Sequence, residues 1–168
     1  FAVCFTASAA VGIKMDETGT ITLEKKTLNG TPVPDATFTA YQVLALTKNT
    51  DGSNTDEGTY VATQAFADVI NANVDLTDTG YLQSAGALFG STEEIEAIIP
   101  KLLAASKNAT NGVSFTDDTT DGIYASPELS LGVYLVVETE VPDHYNISTS
   151  SFLVAIPEWN GNAANGEG

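Results

Sequence analysis

Arginine is absent from this chain of 168 residues, and cysteine, histidine, methionine and tryptophan occur once each. Six lysines stand against 22 aspartates and glutamates, which leaves a formal net charge of −16. A nucleic-acid partner is not expected, because cations are needed to displace counterions from phosphates. Without arginine there is no bidentate clamp for phosphate or carboxylate substrates, so phosphoryl transfer is not expected either. One histidine and one cysteine cannot build a His-rich zinc site, and no GxxxxGK[ST], HExxH, CxxC or GxSxG segment occurs. Neither a cofactor nor a metal is expected.

What is present is a chain with 43% hydrophobic residues spread along its length, which is the composition of a folded globular protein. Its length suits one domain with a full core, with no need for a disulfide or metal staple. Cys4 lies in an apolar stretch, residues 1–10, that runs into small residues and reads as the remnant of a secretory signal peptide. A first strand packed on the domain is the alternative for that stretch. If it is a signal, the mature chain has no cysteine, and a secreted domain without disulfides depends on packing or on some other covalent bond.

From Gly19 the sequence alternates as a half-buried strand does, with Ile21, Leu23 and Lys25 on one face and Thr22, Glu24 and Lys26 on the other. Lys25 thus points where the apolar side chains point. Asn29-Gly30 and the Pro32 to Asp35 segment are turn chemistry, after which Ala36, Phe38, Ala40 and Gln42 share one phase of a second strand. The polar segment 47–58 reads as an exposed loop. Its Asp51, Asn54 and Asp56 lack the EF-hand spacing, and Asp117, Asp118 and Asp121 read as a solvated turn.

Two helical segments are expected to interrupt the strands, in an insertion at about 61–106. The first spans roughly Ala62 to Asn71, with Ala62, Phe66, Val69 and Ile70 at helical spacing. The second opens at Ser91, with Glu94 three residues on as a capping box. Its apolar stripe is Ile95, Ile98, Ile99, Leu102 and Leu103, and Pro100 inside it is expected to kink the helix. No basic residues line the opposite side, so the stripes read as packing surfaces and not as membrane-binding faces.

Strands return after residue 129. Gly132, Tyr134, Val136 and Glu138 share one phase, while Leu131, Val133, Leu135 and Val137 form an equally apolar second phase, the pattern of a strand buried on both sides. Glu138 lies at a sheet surface or is buried with a partner, and burial of both faces favours a partner. A further strand covers 151–156. His144 lies in the turn between Pro142 and Tyr145, where a packing role outweighs a catalytic one, and Trp159 reads as packing at the rim of the domain. Asn29, Asn108 and Asn146 open glycosylation sequons, a pattern short enough to occur by chance.

The segment from Gly132 to Tyr145 resembles the E-box of Gram-positive pilins and surface adhesins, roughly GxYxLxETxxPxxY. The opening, from Thr20 to Lys25 and from Gly30 to Tyr41, is similar to the paired first strands of the same family, where a lysine precedes a GxPxxGAxFxxY segment. Asp35 stands where that family usually has glycine, and Val141-Pro142 replaces the more usual Ala-Pro. Residues 17–158 thus resemble the N-terminal domain of a sortase-assembled pilin.

This resemblance implies a mainly β fold, an Ig-like (Cna B-type, reverse immunoglobulin) β-sandwich with a small helical insertion. It implies a secreted structural subunit of a cell-wall pilus, or fimbria, supporting adhesion, with neighbouring pilin subunits and a sortase as partners and no membrane segment in the mature form. In the family a first-strand lysine forms an isopeptide bond with an asparagine of the last strand, with the E-box acid as proton shuttle. The matching positions here are Lys25 and Glu138. A neutral amine is a nucleophile, and a carboxyl beside it can polarise an amide carbonyl and relay protons as ammonia leaves. Such a cross-link would constrain the unfolded chain as a disulfide does, on the order of 4 kcal/mol for a long loop.

Two plainer readings of the pair stay open: an ordinary buried salt bridge, or a Lys25 that snorkels to water at a strand end. Residues 159–168 read as a loop before a missing last strand. The family's linking lysine, acceptor asparagine and sorting signal are not visible, and Asn160, Asn162 and Asn165 show no strand pattern. An absent last strand would leave a sheet edge open to another chain's strand. An adhesin module that binds a host protein or glycan through the 47–58 loop or the insertion is the alternative function. An acid–base enzyme built on Glu138 with Glu140 or Asp143 is the weakest, so at most a single-turnover autocatalytic reaction is expected.

Overall fold

The computed structural model describes residues 18–48, 58–76, 88–117, 119–145 and 151–157. The signal-like stretch with Cys4, the acids Asp51, Asn54, Asp56 and Asp118, the sequon at Asn146, and the tail with Trp159, Asn160, Asn162 and Asn165 lie outside the described residues.

Twelve residues, Thr37–Lys48, form the central strand β3 of a five-stranded antiparallel sheet. One edge of β3 pairs along nearly its whole length with β8, Gly132–Glu140, which pairs in turn with β9, Phe152–Ile156. The other edge takes two strands in succession, β5 (Gly112–Thr116) opposite its first half and β4 (Gly58–Ala62) opposite its second. The facing layer is a narrower ribbon. In it β1 (Thr18–Gly19) pairs with β7 (Leu129–Ser130), and β2 (Thr22–Glu24) pairs with β6 (Ile123–Ala125). The two ladders run on through Ile21 and Ser126: Ser126 N–H donates to the Ile21 carbonyl at 2.8 Å, and Ile21 N–H donates to Ser126 Oγ at 2.9 Å.

The layers form a mainly β, Ig-like sandwich. From the ribbon, Ile21, Leu23, Tyr124 and Leu129 point inward, and from the sheet Phe38, Ala40, Val136 and Phe115 meet them; all eight are buried. The period of two expected around Ile21, Leu23 and Lys25 is thus the period of burial. In β3 the register shifts between Gln42 and Leu44, a bulge that turns both Val43 and Leu44 into the core.

Leu131, just before β8, and Val133 and Leu135 within it are buried along with Tyr134 and Val136, so both faces of this strand are covered, as its sequence suggests. Helices supply the second cover. A 3-10 turn (Gln64–Phe66) leads into α1, Ala67–Asn73, and α2 spans Thr92–Ser106 and packs on α1 and on β8. Phe66, Ile70, Ile98 and Leu102 are their buried anchors. Ser91 caps α2 with both bonds of the capping box: Ser91 N–H donates to Glu94 Oε2 at 2.7 Å, and Glu94 N–H donates to Ser91 Oγ at 3.4 Å. These bonds from Ser91 hold the Glu94 carboxyl below its ordinary range.

One local expectation is corrected. Ala62, read as the start of a helix, is the last residue of strand β4, where Tyr60 pairs with Leu46 and is buried, while Thr59 and Val61 suit a pleated edge. The first helical turn accordingly begins at Gln64. Pro100 lies within α2, which continues to Ser106 with the proline on its exposed side. Among the described residues no helix is long and apolar enough to cross a membrane.

Candidate functional site

Lys25 follows directly on β2 and Glu138 lies near the end of β8, so the two come from opposite layers and are 113 residues apart in sequence. Lys25 Nζ donates to Glu138 Oε1 in an ion pair, with side-chain exposures of 3% and 0%. The lysine therefore does not snorkel to water. By contrast Lys26, in the other phase of the strand, pairs with Glu24 where both side chains are a third or more exposed, a setting in which an ion pair contributes little.

The walls of the site are aromatic. Phe38 stands opposite Glu138 across the β3–β8 ladder, and its ring centroid is 5.9 Å from Lys25 Nζ. Tyr124 packs edge-on against Phe38 at 4.9 Å and 72°, and Phe115 stacks on its other side at 6.0 Å. Such rings exclude water, which strengthens any electrostatic interaction they enclose. Burial first, and then the nearby carboxylates Asp117, Asp35 and Glu138, push the Tyr124 phenol above its usual range, so it is a neutral donor.

The backbone of Lys25 is gripped from two sides. Its N–H donates to the Gly122 carbonyl at 2.7 Å and its carbonyl accepts from Val33 N–H at 2.9 Å. Gly122 has φ +78°, and a Cβ there would come within 2.5 Å of the Lys25 carbonyl oxygen, so glycine is required by both conformation and space. Asp117 shapes the turn that delivers it. Its Oδ1 accepts from Thr119 and Thr120 N–H at 2.9 and 2.8 Å, and its Oδ2 accepts from Gly122 N–H at 2.6 Å. Burial raises the Asp117 carboxyl, but these donors outweigh it and hold the group below the ordinary carboxylate range. The carboxylates of Asp117 and Asp121 thus serve backbone N–H groups, since Asp121 Oδ1 likewise accepts from Ile123 N–H at 3.0 Å.

The remaining candidates separate from this site. Glu140 is exposed and accepts from Thr37 Oγ1 at 2.9 Å, and a register shift around Thr139 divides it from Glu138. Asp143 is exposed in the Pro142 to Tyr145 turn, where His144 has φ +77°. Asp35 also has a left-handed backbone, φ +65°. This explains the glycine expected there, since aspartate is among the few other residues that tolerate such a conformation.

The strand pattern of the sequence places Lys25 and Glu138 but gives no sign of Tyr124, Gly122 or Asp117 as their supports. The available signal was the single aromatic of Ile123-Tyr124-Ala125 beside a glycine. One edge of the ribbon also bears on the chemistry. The Ile21 carbonyl and the Lys25 N–H turn toward β6 and its approach, so Thr22 and Glu24 turn their backbone groups the other way, to an edge with no paired strand among the described residues.

Residues 84–166 match the family model SpaA, a prealbumin-like fold domain. This is a structural, non-enzymatic family found in the pilin subunits of Gram-positive bacteria. The match covers β5 to β9 and α2 and includes Glu138, and it supports a role in a pilus or another surface protein. No curated protein matches the chain.

Proposed function

We propose that the chain is a structural subunit of a covalent, cell-wall-anchored pilus that supports adhesion, secreted to the cell surface and joined to neighbouring subunits by a sortase. Within it, Lys25 supplies the amine of a self-made isopeptide cross-link and Glu138 the acid that relays its protons. The observation that carries this reading is the solvent-closed Lys25 and Glu138 pair, which joins the first described strands to the E-box strand through the core.

The third member of the site is an asparagine on a strand laid along the edge of β2 that no described strand pairs. Proton transfer from Nζ to Oε1 within the pair leaves a neutral amine and a neutral acid with no net change of charge. The amine lone pair then attacks the asparagine side-chain carbonyl carbon, and the Glu138 carboxyl polarises its oxygen. A C–N bond forms to Nζ, the bond to the carboxamide nitrogen breaks, and Glu138 relays the proton that lets ammonia depart. Preorganisation of amine and acid beside the carbonyl supplies the proximity that so slow an exchange needs.

The test is the intact mass of the full-length protein beside its Lys25→Ala variant. A mass below that of the sequence by one ammonia, restored in the variant, supports the cross-link. A full sequence mass in the parent rejects it and leaves an ordinary buried ion pair.

A further inference from the structure

We propose that Tyr124 is a positioning residue for the Lys25 amine: one phenol oxygen locks the turn that holds the Lys25 backbone, while the ring fixes Phe38 against Nζ. The inference rests on the cross-linking reading above and names a residue that the reading does not require.

Tyr124 Oη donates to the Val33 carbonyl at 2.6 Å and accepts from Ala36 N–H at 3.2 Å. It therefore ties together two residues of the turn between β2 and β3. Val33 is the residue whose N–H holds the Lys25 carbonyl, and Ala36 lies two residues before Phe38. Gly122, two residues before Tyr124, holds the Lys25 N–H. Tyr124 thus reaches the Lys25 backbone along the chain through Gly122 and across the turn through Val33, and its ring packs on the aromatic beside Nζ. A phenylalanine would fill the same volume without the cost of burying a hydroxyl that must be satisfied. What the hydroxyl adds is the fixed separation of residues 33 and 36, and through it the aim of the lysine at Glu138.

A second buried tyrosine serves as an internal control. Tyr134 Oη donates to the Ser130 carbonyl at 2.7 Å, at the opposite end of β8 from Glu138. Full-length protein is made by cell-free synthesis, quenched in acid at intervals, and the fraction that has lost ammonia is followed by intact mass. Urea midpoints are measured in a Lys25→Ala background, where no bond forms. Tyr124→Phe is expected to slow bond formation about tenfold or more, since small displacements of a reacting group cost that much. Tyr134→Phe is expected to lose similar stability yet react at the parent rate. Equal rates in parent and Tyr124→Phe overturn the positioning role, as does an equal slowing by Tyr134→Phe, which would make the effect one of stability alone. A parent chain that never loses ammonia removes the cross-link reading and this inference together, and is told apart by the parent trace alone.

Discussion

Lys25 and Glu138 meet across the two layers of the sandwich as an ion pair whose side chains are closed off from water, with the Phe38 ring beside Nζ. A pair of this kind is costly to break and cheap to replace, because removing one member strands a buried charge while removing both strands none.

In the chain of 168 residues, Glu138→Leu alone is therefore expected to lower the unfolding free energy by about 3–5 kcal/mol. Lys25→Met combined with Glu138→Leu is expected to recover most of that loss. Urea unfolding of the two single variants and the double variant forms the cycle. A double variant no more stable than Glu138→Leu would show that the two side chains are not energetically coupled.

Asp35 occupies a left-handed backbone position. Asp35→Gly is expected to hold stability within about 0.5 kcal/mol of the parent, whereas Asp35→Val is expected to lose about 1–2 kcal/mol, the cost of that conformation for a side chain with no local hydrogen bond to offer. Thermal unfolding decides it, and a valine variant as stable as the parent would contradict the assigned backbone.

Asp117 sets a pH dependence. Its folded-state carboxyl lies below the ordinary value, so it contributes stability above its unfolded pKa, and that contribution is lost as pH falls through the lower, folded value. Asp117→Asn, which keeps one acceptor oxygen, is expected to cost about 1–2 kcal/mol near neutrality. The gap between variant and parent is expected to narrow as the pH falls below the usual aspartate range. Unfolding midpoints across an acid series measure this, and a gap that stays constant with pH would assign the loss to shape and not to charge.

Ser91 starts the longer helix. Ser91→Ala removes the Oγ that accepts from Glu94 N–H and is expected to cost about 1 kcal/mol. Amide exchange should rise at residues 92–95 while β3 and β8 keep their protection, and a uniform rise across the domain would mean that the cap supports the whole fold.

Much of this arrangement could be read in the sequence where a single periodicity governs. Ile21, Leu23 and Lys25 alternate without interruption, and the two apolar phases of 131–137 declare a strand covered on both faces. Ser91 and Glu94 carry their own spacing. The features that escaped depend on residues brought together by topology. β4 is five residues long and follows a polar stretch of sequence, so only its pairing with β3 shows that Tyr60 is core. The bulge at Val43 depends on the β8 partner and leaves no local trace. Tyr124 follows a turn rich in Asp, Thr and Gly, and its two hydrogen bonds reach back about ninety residues, with separations of 88 and 91.

The succession of β5 and β4 along one side of β3 bears on how the fold is partitioned. The chain leaves that side at Ala62 and returns to it at Gly112, so both strands that β3 takes there lie outside the intervening helices. Those helices add cover to β8 without adding a strand to the sheet, and among the described residues they roof a frame whose pairing the strands make by themselves.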